Sequence, residues 1–229
     1  MKHVERQLLT VWLCTKSGEM CLGRSYPYYS LACALRQRML NFVQNFLNYM
    51  TFEVIESSWN TFESNLREVA NIDNVIEHHA KFLDTCLRDC IITNDSFLLI
   101  QKILSECIMF SVFVQGVTKS IKEKEETSQM EWKSMTLKES QERRKKILQE
   151  ISDDLNKMVS DEAFATSIKN YDEKFSKFLL DLLAKIINDM SNGLGETKIG
   201  NVLYRLDFND HYRNQIEKLR LSKSMMHQS

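Results

Sequence analysis

The chain has 229 residues, 30 basic and 31 acidic side chains, a formal net charge of −1, 43% hydrophobic residues and 12 Phe. Such a balance provides for a real core and excludes a global electrostatic field for nucleic acid or an anionic membrane. A single Pro, six Gly and no strand-turn-strand patterns give an all-α fold class, a long-helix bundle of about six to seven helices.

No apolar run reaches the roughly 18 residues of a membrane span, and the opening MKHVERQL has no signal-peptide core. Cys14, Cys21, Cys33, Cys86, Cys90 and Cys107 form no CxxC pair and mostly lie in helical apolar patterns. They read as reduced, buried thiols of a cytosolic protein.

In chain order, residues 2–16 make a short amphipathic helix through Val4, Leu8, Val11 and Trp12. No capping residue precedes it, as expected where a chain is the later part of a larger helical domain. Residues 18–28 hold two Gly and the only Pro, and read as a loop. Residues 29–70 then form the long central helix. Its apolar seam is Leu31, Leu35, Met39, Phe42, Phe46, Tyr49, Phe52, Ile55, Trp59, Phe62, Leu66 and Val69. A second stripe through Leu40, Val43, Leu47, Met50 and Val54 calls for two neighbours. The remaining face carries Arg36, Gln37, Arg38, Asn41, Gln44, Asn45, Asn48 and Thr51, with no Lys or Glu. Solvated faces favour Glu and Lys, whereas Arg and amides suit a protein interface or an internal helix–helix network.

Asn71–Asn74 supplies a stop and an N-cap for a helix over about 74–92, with Val75, His79, Phe82, Leu83, Cys86 and Cys90 on its face. A further helix from Phe97 to about Lys122 is apolar nearly all round in its middle. The whole of 1–126 reads as a first bundle portion and 127–138 as a flexible charged linker. Residues 139–222 form the C-terminal helical portion, with a break near Ser160-Asp161, a stop at Ser191–Gly193 and helices over about 197–205 and 210–222. Residues 223–229 read as a disordered tail.

The search for chemistry is mostly negative: the chain has no Gly-rich phosphate loop, GxSxG, HExxH, zinc-finger spacing or Glu-x-x-His pair. His79, Cys86 and Cys90 share one helical face, but a closed zinc site needs a fourth ligand. They read as lining of a bundle seam, and no metal, cofactor or catalytic residue is assigned. In RLDFN, Asn209 or Asp210 is expected to cap the last helix, with Phe208 as a staple.

Six segments carry a family likeness: KHVERQL (2–8), LRQRMLNFVQN (35–45), YMTFEVIESSW (49–59), NIDNVIEHHAKFLDTCLRDCIITN (71–94), YDEKFSKFLLDLL (171–183) and LYRLDFNDHY (203–212). In this order they resemble the C-terminal half of the gamma-tubulin complex component family, in its component 2 branch. Residues 119–150 and the tail lie outside the likeness. The resemblance implies helical bundles that bind gamma-tubulin, in a scaffold for microtubule nucleation with no chemistry of its own; GTP belongs to the partner. It also implies other complex components as lateral partners through an N-terminal half that this chain does not match, and a cytoplasmic place at microtubule-organising centres. The rival readings are a generic helical adaptor and a helical metal protein built on His79, Cys86 and Cys90.

The polar-face argument, separately from the resemblance, nominates Arg36, Arg38, Asn41, Gln44, Asn45 and Asn48 as partner-binding residues, with His78 and Lys81 as outer candidates. Packing against another segment of the same domain is the alternative use of that face.

Overall fold

The computed structural model describes residues 1–11, 27–69, 71–90, 95–132, 162–191, 197–207 and 212–218. Among them every regular element is helical: α1 (residues 2–11), α2 (Pro27–Asn48), a π-helix (Tyr49–Glu56), α3 (Ser57–Leu66), α4 (Ile72–Asp89), α5 (Asp95–Trp132), α6 (Glu162–Ser191), α7 (Thr197–Leu206) and α8 (residues 212–218). The all-α expectation therefore holds. The loop over 18–28 (apart from 27–28), the break near 160 and the tail lie outside the described residues, as does the linker after Trp132.

The expected long helix is present as α2, the π-helix and α3 in unbroken succession, opened by Pro27, whose missing N–H costs nothing in a first turn. α4 begins at Ile72, two residues earlier than its pattern suggested, because Asn71 is the cap: its side chain accepts from Asn74 N–H at 2.9 Å. α5 runs on to Trp132, past the expected end at Lys122, since opposite charges at i,i+4 spacing support a helix. Its Ser96–Lys119 stretch is long and apolar enough, by length and composition, to cross a membrane, which corrects the reading that no run is. In the fold the stretch gives up one face to packing, with Ile100, Ile103, Cys107, Phe110 and Val114 all buried.

Two compact units divide the chain. One comprises Met1–Lys2, Asn41–Leu104 and Ser176–Ser229; the other comprises His3–Leu40 and Ser105–Phe175. The first has a core of Phe42, Phe46, Tyr49 and Val54 with Leu179, Leu182, Leu183 and Ile186 from α6. Each such side chain contributes about 1.5–3 kcal/mol on burial. The Tyr49 hydroxyl stays inside this core because it donates to the Asp89 carbonyl at 2.8 Å. The second unit buries Val4, Leu8 and Val11 of α1, Leu35 and Met39 of α2, Phe110 of α5 and Phe175 of α6. An aromatic seam joins α5 to α6 there, with Phe110 edge-on to Tyr171 (5.9 Å) and Phe113 stacked on Phe164 (5.6 Å). Gln115 donates to Gln7 at 3.0 Å and ties α1 to α5.

Half of the long helix's predicted seam is not core. Leu35, Met39, Phe42, Phe46 and Tyr49 are buried, but Phe52, Ile55 and Trp59 are 60%, 46% and 50% exposed, and Leu31 at the start is 54% exposed. The π-helix is the reason for the change after Tyr49. Its i→i+5 bonding adds about one residue to the turn, so the inward series runs Tyr49, Val54, Ser58, Phe62, with a first step of five residues. Residues in phase with the preceding α-turns are thereby rotated outward.

Candidate protein-binding surface

The nominated residues fall into three environments. Within the second unit, Arg36 is buried and donates to Gln37 Oε1 at 3.3 Å. Arg38 pairs through Nη1 with Asp172 of α6, and its guanidinium lies over the Phe175 ring, 5.7 Å from the centroid. This is the internal use of the polar face: the ion pair orders the arginine, and the aromatic face takes up part of its charge.

Within the first unit the amide ladder is more open. Asn41 and Asn48 are exposed, while Gln44 and Asn45 are half-buried. Asn45 donates to Asn41 Oδ1 at 2.9 Å, an i,i+4 bond along the helix surface that holds both amides in place and leaves further donors and acceptors outward.

The third environment is the α3–α4 pair. Phe62 stacks on Phe82 at 5.4 Å and 24°, Trp59 meets Phe82 edge-on at 5.8 Å, and His79 packs against Phe62 at 5.8 Å. Beside this cluster lies a half-open cleft of about 140 Å³, lined by Ser58, Thr61, Phe62, Asn65, His78, Lys81, Phe82 and Thr85. Two nominated residues, His78 and Lys81, thus meet in one place. The sequence reading missed Ser58, Thr61 and Asn65 of α3 and Thr85, which the return of α4 brings to them. A signal was nonetheless present: Ser58, Thr61 and Asn65 recur at helical spacing in a stretch otherwise read for its aromatics.

The remaining chemistry-bearing residues have structural roles. Asp207 caps α8 with both carboxylate oxygens, accepting from Tyr212 N–H at 2.8 Å and Arg213 N–H at 2.7 Å. The cap was expected from Asn209 or Asp210, which lie outside the described residues; Asp207 reaches across five and six residues to do it. Cys90 is buried and its thiol is pushed up to about 11 by burial, then by Cys86 and Asp89. Cys107 is pushed up to about 12 by burial, then by Glu106. Tyr171 is also raised, by burial and Glu106. Such thiols stay protonated at neutral pH and are poor nucleophiles. Among the described residues no group of three or more His, Cys, Asp or Glu is placed to hold a metal ion.

Among the described residues every regular element is thus helical, with exposed amides on α2 and a polar cleft between α3 and α4. Residues 1–212 match the family model described as gamma tubulin complex component C-terminal, and the chain belongs to that family. It is 37% identical over 233 residues to gamma-tubulin complex component 2 of Mus musculus, covering 97% of this chain and 26% of the mouse protein. It is 32% identical over 220 residues to the Drosophila melanogaster component 2 homolog, covering 95% of this chain and 25% of the fly protein. A third relative, spindle pole body component alp4 of Schizosaccharomyces pombe, is 37% identical over 127 residues, covering 53% of this chain and 16% of the yeast protein. The chain therefore spans about a quarter of the length of the mouse and fly relatives.

Proposed function

We propose that this chain is a gamma-tubulin-binding segment of a scaffold subunit acting in microtubule nucleation at microtubule-organising centres in the cytoplasm. The observation that carries the reading is the family match over residues 1–212, joined to relatives named as gamma-tubulin complex and spindle pole body components. Gamma-tubulin is the primary partner, and other components of the complex are the lateral ones. The subunit itself needs no cofactor and catalyses no reaction.

The binding surface we assign is Asn41, Gln44, Asn45 and Asn48, with His78 and Lys81 as its outer members. Amides give orientation through hydrogen bonds, and the Lys81 ammonium adds attraction to an acidic group of the partner. Arg36 and Arg38 complete the set as supporting residues, since their heads are engaged with Gln37 and with Asp172 and Phe175.

Titration of purified gamma-tubulin onto the immobilised chain tests the reading. Saturable binding is expected, together with at least tenfold weakening in an Asn41→Glu/Asn45→Glu/Asn48→Glu variant of unchanged helical content. No binding by the folded parent chain would overturn it. Arginine reversals are a poorer probe, because Arg38→Glu also breaks the pair with Asp172.

A further inference from the structure

Ser58 is 7% exposed, and its Oγ has no hydrogen-bond partner. A buried hydroxyl left in that state carries a desolvation penalty that native structures normally avoid. Its position follows from the π-helix, whose five-residue step from Tyr49 to Val54 turns Ser58 inward to the wall of the α3–α4 cleft.

The composition of that wall is one-sided. Ser58, Asn65, His78, Lys81 and Thr85 all carry donors, and no Asp or Glu lines the cleft. Thr61 donates its own hydroxyl to the Ser57 carbonyl at 3.1 Å, so it offers the cleft only an acceptor. Of the acids of α4, Asp73, Glu77 and Asp84 are exposed and Asp89 is buried, and none of the four lines the cleft. Lys81 is cationic, and the His78 imidazole presents at least one N–H in either protonation state. The apolar part of the lining is Phe62 and Phe82, whose rings stack on each other.

We infer that the α3–α4 cleft is a pocket for a glutamate side chain of a protein partner, with the carboxylate at Ser58, His78 and Lys81 and the methylene stem on the Phe62–Phe82 rings. A cationic Lys81 beside several donor-bearing side chains, with no acid in the lining, favours an anionic acceptor, and a carboxylate is the protein group that accepts without donating. The ring pair selects a head on an aliphatic stem over a free tetrahedral anion, which would leave the rings uncovered. The inference rests on the reading that this chain binds a protein partner, and it names the chemistry of one contact.

Two measurements on the full chain test it. The first follows the His78 ring by NMR, identified by its loss in His78→Gln, during titration with N-acetyl-glutamate N-methylamide, the matching glutamine compound and inorganic phosphate. A shift produced by the glutamate compound alone is expected. Equal shifts from the glutamine compound, a stronger response to phosphate, or no shift at all would overturn the assignment. The second measures gamma-tubulin affinity. Lys81→Gln should weaken binding about tenfold, with recovery in Lys81→Arg, since Arg restores the charge-assisted bond. Ser58→Ala should weaken it about threefold while leaving Tm unchanged or raised, because it removes an unpaired hydroxyl. Unchanged affinity in both variants would remove the pocket and leave the gamma-tubulin reading standing. A selective glutamate shift without gamma-tubulin binding would keep the pocket and remove that partner.

Discussion

The long helix before and after Tyr49 carries the same apolar rhythm and meets opposite fates. Before it, Leu35, Met39, Phe42 and Phe46 are at most 2% exposed; after it, Phe52, Ile55 and Trp59 are 46–60% exposed. Neither side differs in residue type, since both are aliphatic and aromatic. The difference is one step of backbone register, taken inside an eight-residue π-helix. A helix face is therefore a property of accumulated rotation as well as of spacing, and a register step early in a helix reassigns every residue that follows. The same step that exposes Trp59 buries Ser58.

Deletions give the sharpest way to break this comparison. Removing exposed Thr51 from the π-helix should convert it to α-helix with Val54, Ser58 and Phe62 still inward, at a cost within about 1 kcal/mol, since π-bulges are single-turn insertions. Removing exposed Thr61 from α3 should instead rotate Phe62 off Phe82 and cost about 3–5 kcal/mol, the scale of losing a buried Phe. Urea denaturation midpoints compare the two, and equal losses would refute the register account. Side-chain truncation is next in size. Phe46→Ala should cost about 3–5 kcal/mol, whereas Phe52→Ala, more than half exposed already, should cost under about 1 kcal/mol.

Tyr49→Phe probes the junction itself. Loss of the buried bond to the Asp89 carbonyl should lower stability by about 1 kcal/mol. A further effect, confined to alkaline pH, is a dependence of stability on Cys90 and Cys107. Both thiols are raised above the ordinary value of 9.0, to about 11 and about 12, so burial favours their protonated forms in the folded chain. Their contribution is complete below about pH 9 and is lost as pH rises through the folded values. Thermal midpoints should fall between about pH 9 and 11 for Cys90 and continue falling toward 12 for Cys107. Cys90→Ala and Cys107→Ala should flatten the respective parts of that curve.

The polar residues divide in the same way. That Arg36 and Arg38 belong to a face of contact was readable, because Glu and Lys are missing there. Which contact each makes was not: Asp172 lies 134 residues from Arg38, and only packing of α6 on α2 brings it near. The cap on α8 was legible as an acid ahead of a helix, yet its owner was not, because Asp207 reaches amides five and six residues on. Nothing in residue type marks a π-helix, so the exposed Phe52, Ile55 and Trp59 read as core.

The sequence by itself determined an all-helical chain, the approximate span of each described helix and membership of a family visible in its motifs. These depend on local periodicity, capping and residue identity, which are properties of neighbours along the chain. Only the tertiary structure decided which apolar stripe is core, which arginine is already paired, and that Ser58, His78 and Lys81 share one cleft. Those outcomes depend on helix rotation and on contacts between distant segments, and spacing along the chain encodes neither.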